Sequence, residues 1–373
     1  MPRPFPSLIV ADSERSADML YATRFFAPDA FIFLEAGGKR SVVLSDLEID
    51  RGRRDAQVDE VLAYSEVKGR IKGASGNEPG FEDVLLHFLR ERKVRQARIP
   101  YDFPAGIATA LAGAGIQLRP VRGHFWPSRE HKTETEVKAL GRALRQTEAG
   151  MARGIEVLRA SKIRSRSLVW AGRPLTSAIL RAEIDSAILR AGGLPANTIV
   201  AGGAQACDPH ERGSGPLRPH ELIILDIFPR DAKSGYYGDM TRTVVRGRAN
   251  DARRRLWETV QAGQRMALKA MKPGVSGLAV HESIKEFFAA QGYPTGQRDG
   301  RWAGFFHGTG HGLGLEIHEE PRFGATIFQP GQVLTVEPGI YWPGVGGCRI
   351  EDVALVTEGG IRKLSRFPQE IEL

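Results

Sequence analysis

The sequence predicts an α/β (α+β) protein of two domains, residues 1–125 and 126–373, the second containing an internal pseudo-twofold duplication. Three observations lead there. Strand-like and helical patterns alternate along the chain, the character of the sequence changes around Pro127-Ser128, and acidic strand residues recur at a nearly constant distance. A length of 373 residues is enough for two domains, each with its own core.

In the first domain "SLIVAD" reads as a strand, and "FIFLEAGGKRSVVLS" as a hairpin turning at Gly37-Gly38. "FEDVLLHFLRERK" is helical and precedes a short strand, "ARIPYD". After "GHFWPSREHK" a long amphipathic helix begins, with Thr133 and Glu136 at capping-box spacing. Val137, Leu140, Leu144, Met151, Ile155 and Leu158 share one face of it. A second helix carries Leu180, Ile184 and Ile188 and stops at Gly192-Gly193. The runs "NTIVAG", "ELIILDIF" and "GDMTRTVV" then read as strands. The order repeats: helices over about 250–271 and 277–291, then strand-like runs at "QVLTVEPGIY" and "RIEDVALV". Pro219 stands seven residues before Asp226, and Pro330 seven before Glu337. Asp226 and Glu337 are 111 positions apart, Asp239 and Glu351 112. Two copies are too few for a solenoid, so a closed domain of two facing halves is expected.

The composition, 42% hydrophobic and 26% charged, excludes a disordered chain, and no apolar run is long enough to span a membrane. The N-terminal stretch "MPRPFPSLIVADSERS" lacks a signal-peptide core and cleavage site, so a cytoplasmic location is expected. Two cysteines exclude a disulfide scaffold. The net charge of +8 raises the question of nucleic acid. Its basic clusters, "RERKVRQAR" and "ARRR", come without zinc-finger or aromatic–basic RNA motifs and read better as solvated helix faces.

Asp226, Asp239, Glu337 and Glu351 lie in or beside runs that should be buried. Carboxylates there need a partner, and the duplication brings all four to one axis. An arginine network through Arg242 and Arg349 is one solution; a pair of divalent cations relieves the repulsion better. "FHGTGHGLGLEIHEE" supplies His307, His311 and His318 among glycines too dense for a helix, with no Lys-Ser/Thr for a phosphate loop. A carboxylate-rich centre takes one imidazole, leaving the other histidines as proton donors or oxyanion stabilisers.

"GYYGDMTRT", "HGTGHGLGLEIHEE", "LTVEPGIY" and "RIEDVALV" resemble the motifs of the M24 metallopeptidases, which have the pita-bread fold. The resemblance spans about 130–373, and residues 1–125 more weakly resemble the creatinase/prolidase N-terminal domain, which favours the Xaa-Pro aminopeptidase and prolidase branch. It implies two divalent metal ions per subunit, Mn²⁺ foremost with Co²⁺ or Zn²⁺ as alternatives, held by Asp226, Asp239, His311, Glu337 and Glu351. Asp226 would chelate one ion, Asp239 and Glu351 bridge both, and His311 and Glu337 complete the other. The implied reaction is hydrolysis of an N-terminal Xaa-Pro bond by a metal-bridging hydroxide, on a peptide with proline second. His318 would contact substrate and stabilise the oxyanion, His210 would approach the leaving group, and His307 would line the pocket. Glu337 would also carry the proton, and Arg349 would orient a bridging acid. The N-terminal domain further implies a homodimer.

Two features depart from the family pattern. The loop "IFPRDAKSGYYG" is slightly long and is expected to widen a hairpin turn. In "PRFGATIFQPG" only Arg322 could hold a dipeptide's free carboxylate, and its position does not clearly match, which leaves dipeptides and longer peptides both open. The competing functions are an M24-fold binding protein without catalysis, for a peptide, protein or nucleic-acid partner, and a metal-free creatinase-like amidinohydrolase.

Overall fold

The computed structural model describes residues 5–71, 78–298 and 300–373. The first four residues of the N-terminal stretch therefore lie outside the described residues. The chain divides into two compact units, Met1–Pro127 and Ser128–Leu373.

The first unit runs β1 (Ser7–Ala11), α1 (Ala17–Thr23), β2 (Phe31–Ala36), β3 (Lys39–Leu44), α2 (Ile49–Asp55), β4 (Glu60–Ala63), α3 (Tyr64–Gly69), α4 (Phe81–Glu91), β5 (Gln96–Pro100), α5 (Ala105–Gly113) and β6 (Gln117–Val121). Its six strands form one mixed sheet in the order β4-β3-β2-β1-β5-β6. Alternation sends Leu8, Val10, Ile32 and Leu34 to one face, under α4, and Ile9, Phe31 and Phe33 to the other, against Trp126. The β2–β3 hairpin turns at Gly37 and Gly38, with φ of 62° and 80°. Two consecutive left-handed residues match the twist of the strands, and glycine adopts them without a Cβ clash.

The second unit opens with α6 (Glu134–Ala160). Thr133 Oγ1 accepts from the Glu136 amide at 3.3 Å, and Glu136 Oε2 accepts from the Thr133 amide at 2.9 Å, closing the capping box. A small meander of β7 (Lys162–Arg164), β8 (Ser167–Trp170) and β9 (Arg173–Pro174) leads into α7 (Ser177–Arg190). Then come β10 (Gly193–Leu194), β11 (Ile199–Gly202), β12 (Leu222–Ile227), β13 (Arg230–Asp231) and β14 (Met240–Val245). The second half follows: α8 (Asp251–Ala270), α9 (Gly277–Ala290), β15 (Gly296–Arg298), β16 (Arg301–Ala303), β17 (His311–Gly312), β18 (Glu319–Arg322), β19 (Val333–Val336), β20 (Gly339–Trp342), β21 (Gly346–Arg349), β22 (Asp352–Thr357) and β23 (Gly360–Lys363).

Each half pairs two helices with antiparallel strands around a core of its own. In the first, α6 and α7 cover β11-β12-β14 through Leu158, Ile184, Ile188, Leu225 and Val244. In the second, α8 and α9 cover β17-β19-β22 through Val260, Ile284, Phe288, Leu334 and Val336. This is the two-half domain that the repeat predicts, and the pita-bread architecture that the resemblance implies. Among the described residues no helix is long and apolar enough to cross a membrane.

Two expectations need correction. "QVLTVEPGIY" is not one strand: Pro338 has no N–H to continue the ladder, so β19 ends before Glu337 and β20 pairs instead with β21. Nor does the loop after Asp226 only widen a turn. It forms β13, which pairs with β10, and buries Asp231, whose carboxylate accepts from Gln146 Nε2 at 2.7 Å and the Ser234 amide at 3.0 Å.

The approach of α6 to α7 depends on a missing side chain. A Cβ on Gly150 would sit 2.7 Å from Ile188 Cγ1 and 2.9 Å from its Cδ1. Gly150→Leu should therefore lower stability by about 1–3 kcal/mol despite its better helix propensity. A melting temperature equal to the parent's would refute this packing account.

Candidate metal centre

In both halves the acids emerge at one end of a strand pair. Asp226 lies in β12 opposite Thr241 of β14, and Asp239 immediately precedes β14. Glu337 immediately follows β19 and Glu351 immediately precedes β22, whose register pairs Val336 with Asp352. The halves meet here, where the Glu351 amide donates to the Thr241 carbonyl at 3.1 Å. His311 enters on β17, beside β19. A Cβ on Gly310 would lie 2.0 Å from the Thr335 carbonyl oxygen, so this glycine lets the histidine loop press against β19.

The structure thus brings together the five side chains that the sequence nominates as ligands. His311 Nε2 is 3.1 Å from Glu337 Oε1 and 3.7 Å from Asp239 Oδ2. Ligand atoms of Asp239, His311 and Glu351 all lie within 4.8 Å of one another, and all three residues are buried. Asp226 is buried beside them, joined through the Thr241 hydroxyl, which is 2.9 Å from Asp226 Oδ1 and 2.8 Å from Glu351 Oε2.

The charges are out of balance. Burial raises the Asp239 carboxyl well above its ordinary value, and the charges of Glu351, Asp226 and Glu337 raise it further. Glu351 is raised in the same way, by burial and then by Glu337 and Asp226. Burial also pushes Glu337 upward, but the hydrogen bond and charge from His311, with His307 and Arg349, outweigh it and bring it down to about 2. Arg242, half of the expected arginine network, turns away: its Nη2 donates to Asp352 Oδ1 at 2.9 Å and its Nη1 to the Thr241 carbonyl at 2.9 Å. Arg349 does face the acids, with its Nη2 2.7 Å from Asp226 Oδ2.

Two details fit a cation between these groups. Thr241 has one hydroxyl hydrogen for two carboxylate oxygens. The His311 Nδ1–H donates to the Gly312 carbonyl at 3.0 Å, which leaves the Nε2 lone pair pointing at carboxylate oxygen unless a proton or cation intervenes. A divalent ion satisfies both, and oxygen donors with one imidazole are a donor set it accepts.

Arg349 departs from expectation. Its Nη2 donates to Asp226 Oδ2 at 2.7 Å, not to Glu351, the acid it was expected to orient; Thr241 supports Glu351 instead. The reason is register: Arg349 closes β21 opposite Gly339 and faces β12. Its Nη1 donates to Tyr341 Oη at 2.7 Å, and Tyr341 donates to His307 Nε2 at 2.9 Å, because His307 Nδ1–H is committed to the Gly308 carbonyl at 2.8 Å. Burial pushes His307 down to about 4, so it is neutral and able to accept.

The acids open into a cavity of about 680 Å³ that also takes in His210, His307, His318 and Arg322. His210 and His318 are exposed at its edge, and the His318 ring packs edge-on against His311 with centroids 4.4 Å apart. Burial lowers the His318 pKa, and the neighbouring His311 lowers it further. Phe228, Phe306, Ile199 and Ile317 supply an apolar wall.

Sequence reasoning misses Thr241, Thr335 and Tyr341. Thr335 accepts from the His311 amide at 3.0 Å and donates to Glu337 Oε1 at 3.1 Å. The threonines were visible as residues two positions from an acid, on the same face of a strand; nothing in the sequence marks Tyr341.

A duplicated α/β unit whose halves contribute acids and one imidazole to a shared buried pocket defines a divalent-metal-binding protein of the pita-bread type. Residues 138–358 match the family model of metallopeptidase family M24, and the chain belongs to that family. It is 36% identical over 179 residues to the Xaa-Pro dipeptidase of Pyrococcus furiosus, a stretch that is 47% of this chain and 49% of that one. The chain thus spans about half the length of such curated relatives. The solved structure of an Xaa-Pro dipeptidase from Bacillus anthracis superposes with a TM-score of 0.81 at 24% identity, over 99% of this chain and 95% of that one. The X-Pro aminopeptidase from Thermotoga maritima also gives 0.81, at 22% identity, over 98% of this chain and 97% of that one.

The pH dependence follows from the carboxyls. Asp239 and Glu351 titrate above their unfolded values, so without metal their contribution to stability is present at acid pH and fades as pH rises through the raised values. A bound cation restores it, adding about 2.7 kcal/mol at a hundredfold excess over Kd. The melting-temperature gap between manganese-loaded and chelator-treated protein should widen from pH 5 to pH 8. A gap that is constant or narrows would contradict this.

Proposed function

We propose that the chain hydrolyses the N-terminal Xaa-Pro bond of short peptides with two divalent ions. The observation that carries this is the convergence of four acids, three of them buried, and one imidazole on a cavity large enough for a short peptide. Asp226, Asp239, His311, Glu337 and Glu351 would hold the ions. Manganese suits the oxygen-rich set best; cobalt and zinc are alternatives. The bound ions would supply the positive charge that acidifies water and polarises the scissile carbonyl.

The chain's own residues do the rest. His318, at the cavity edge beside His311, donates to the carbonyl oxygen as negative charge develops on it. Glu337 carries the proton between water and the departing nitrogen. In an Xaa-Pro bond that nitrogen is tertiary and leaves only when protonated, which gives His210 its use as a nearby donor. Arg349 holds Asp226 in place, and His307 faces the substrate as a neutral imidazole fixed by Tyr341. The apolar wall suits a proline ring or an apolar side chain. Arg322, doubtful by sequence position, lines the cavity and is the cation available for a dipeptide's carboxylate.

Support against a non-catalytic binding protein comes from the acids: burying like charges without a cation costs stability. A metal-free amidinohydrolase has no need of the complete ligand set. The proposal extends to a homodimer, supported by the resemblance of the N-terminal domain, and light scattering of the purified chain tests it.

Metal analysis together with hydrolysis of Xaa-Pro and Xaa-Ala dipeptides and tripeptides is the deciding experiment. Two equivalents of metal and turnover of Xaa-Pro substrates alone are expected. Glu351→Ala should lose metal and turnover together; full metal content with full turnover in that variant would sink the scheme. Arg322→Ala should raise KM for dipeptides about tenfold while leaving tripeptides nearly unchanged.

A further inference from the structure

The motif that supplies His318 ends in two glutamates, and the proposed reaction uses neither. Glu320 is exposed, whereas the Glu319 side chain is only 1% exposed. Its carboxylate meets two cations from the segment before α6. Arg129 Nη2 donates to Oε2 at 2.7 Å, and Lys132 Nζ donates to Oε1 at 2.6 Å; their side chains are 3% and 2% exposed. Arg129 also donates to Glu316 Oε2 at 2.6 Å.

Three buried charges are an expensive way to join two segments, since apolar side chains of similar volume commonly serve stability as well or better. What the triad provides is fixed geometry at both ends. On one side the segment carrying Lys132 is tied to the start of β19, which leads to Glu337: the Lys132 amide donates to the Gly331 carbonyl at 2.8 Å. On the other side Glu319 opens β18, opposite Gly312 beside His311, and closes the loop that carries His318. Its Oε2 accepts from the Glu316 amide at 3.3 Å, and its Oε1 lies 2.3 Å from where a Gly314 Cβ would stand, so the loop is moulded around this carboxylate.

We propose that Glu319, clamped by Arg129 and Lys132, is a positioning residue that fixes the His318 loop against His311 at the mouth of the cavity. It does not touch the reacting atoms; it acts through His318. This rests on the peptidase reading for its kinetic consequence, but the positional claim stands apart from it. Supporting residues of this kind typically change activity by about 10- to 100-fold.

The test uses the full chain, ¹³C-labelled at histidine, with the His318 ring resonance assigned by its loss in His318→Ala. In Glu319→Gln that resonance should shift and broaden while the resonance of His281, which stands on α9 with its Nδ1 2.9 Å from Thr309 Oγ1, stays in place. On an Xaa-Pro dipeptide, kcat should fall about tenfold or more with KM within twofold. In a His318→Ala background Glu319→Gln should add less than a twofold loss. Should Glu319→Gln alone fail to fold, Lys132→Met/Glu319→Gln removes one cation together with the anion and is read in the same way. An unmoved His318 resonance in a folded variant, or kinetic losses that multiply with His318→Ala, would overturn the proposal. If His318→Ala itself leaves turnover intact, the catalytic role given to His318 fails, and the resonance alone still decides whether Glu319 positions it.

Discussion

Like charges forced together out of water are the constraint around which the second unit is arranged. Asp226, Asp239, Glu337 and Glu351 sit where burial, and then their mutual repulsion, raises Asp239 and Glu351 well above the ordinary carboxylate range. One guanidinium and one imidazole do not balance four acids. The neighbouring polar groups act as supports: the Thr241 hydroxyl lies between Asp226 Oδ1 and Glu351 Oε2, Thr335 donates to Glu337 Oε1, and both threonines stand on strands. Such support keeps the oxygens turned inward, ready for a cation, where free side chains would rotate apart.

The polar chain behind the acids has a direction. Arg349 can only donate, so Tyr341 must accept from it and pass its own hydrogen to His307. His307 in turn is neutral and gives its remaining N–H to a carbonyl. Each hydrogen is assigned by the donor before it, and the chain leaves no buried group among these four without a partner. The cation end touches Asp226, while the imidazole end faces the cavity. One hydrogen-bonded chain therefore runs from the acids to the cavity.

Much of this was legible in the sequence, for specific reasons. The duplication was visible because both halves must end a buried strand with an acid, and that requirement repeats as a spacing. The histidine cluster was readable because glycines that dense exclude a helix, which removed the competing zinc-helix interpretation. What stayed hidden depends on contacts between segments far apart in the chain. That Arg349 serves Asp226 follows from the pairing of β20 with β21, which the apparent continuity of "LTVEPGIY" disguised. Tyr341 resembles any core aromatic until Arg349 and His307 are seen on either side of it. Arg129 and Lys132 look like solvated charges ahead of a helix, and only the fold brings Glu319 to them.

The two halves of the second unit are centred on different cores, with Leu222 and Val245 of the first packing into that of the second, and neither owns the pocket. One contributes Asp226 and Asp239, the other His311, Glu337 and Glu351. Each could lose or gain stability through its own apolar contacts without altering the reactive groups, which belong to the seam. A single half carries only two of the four acids, so alone it would gather comparable charge only by meeting a second copy of itself. Because the two sides belong to one polypeptide they need not be alike, and the one imidazole among the expected ligands stands on only one of them.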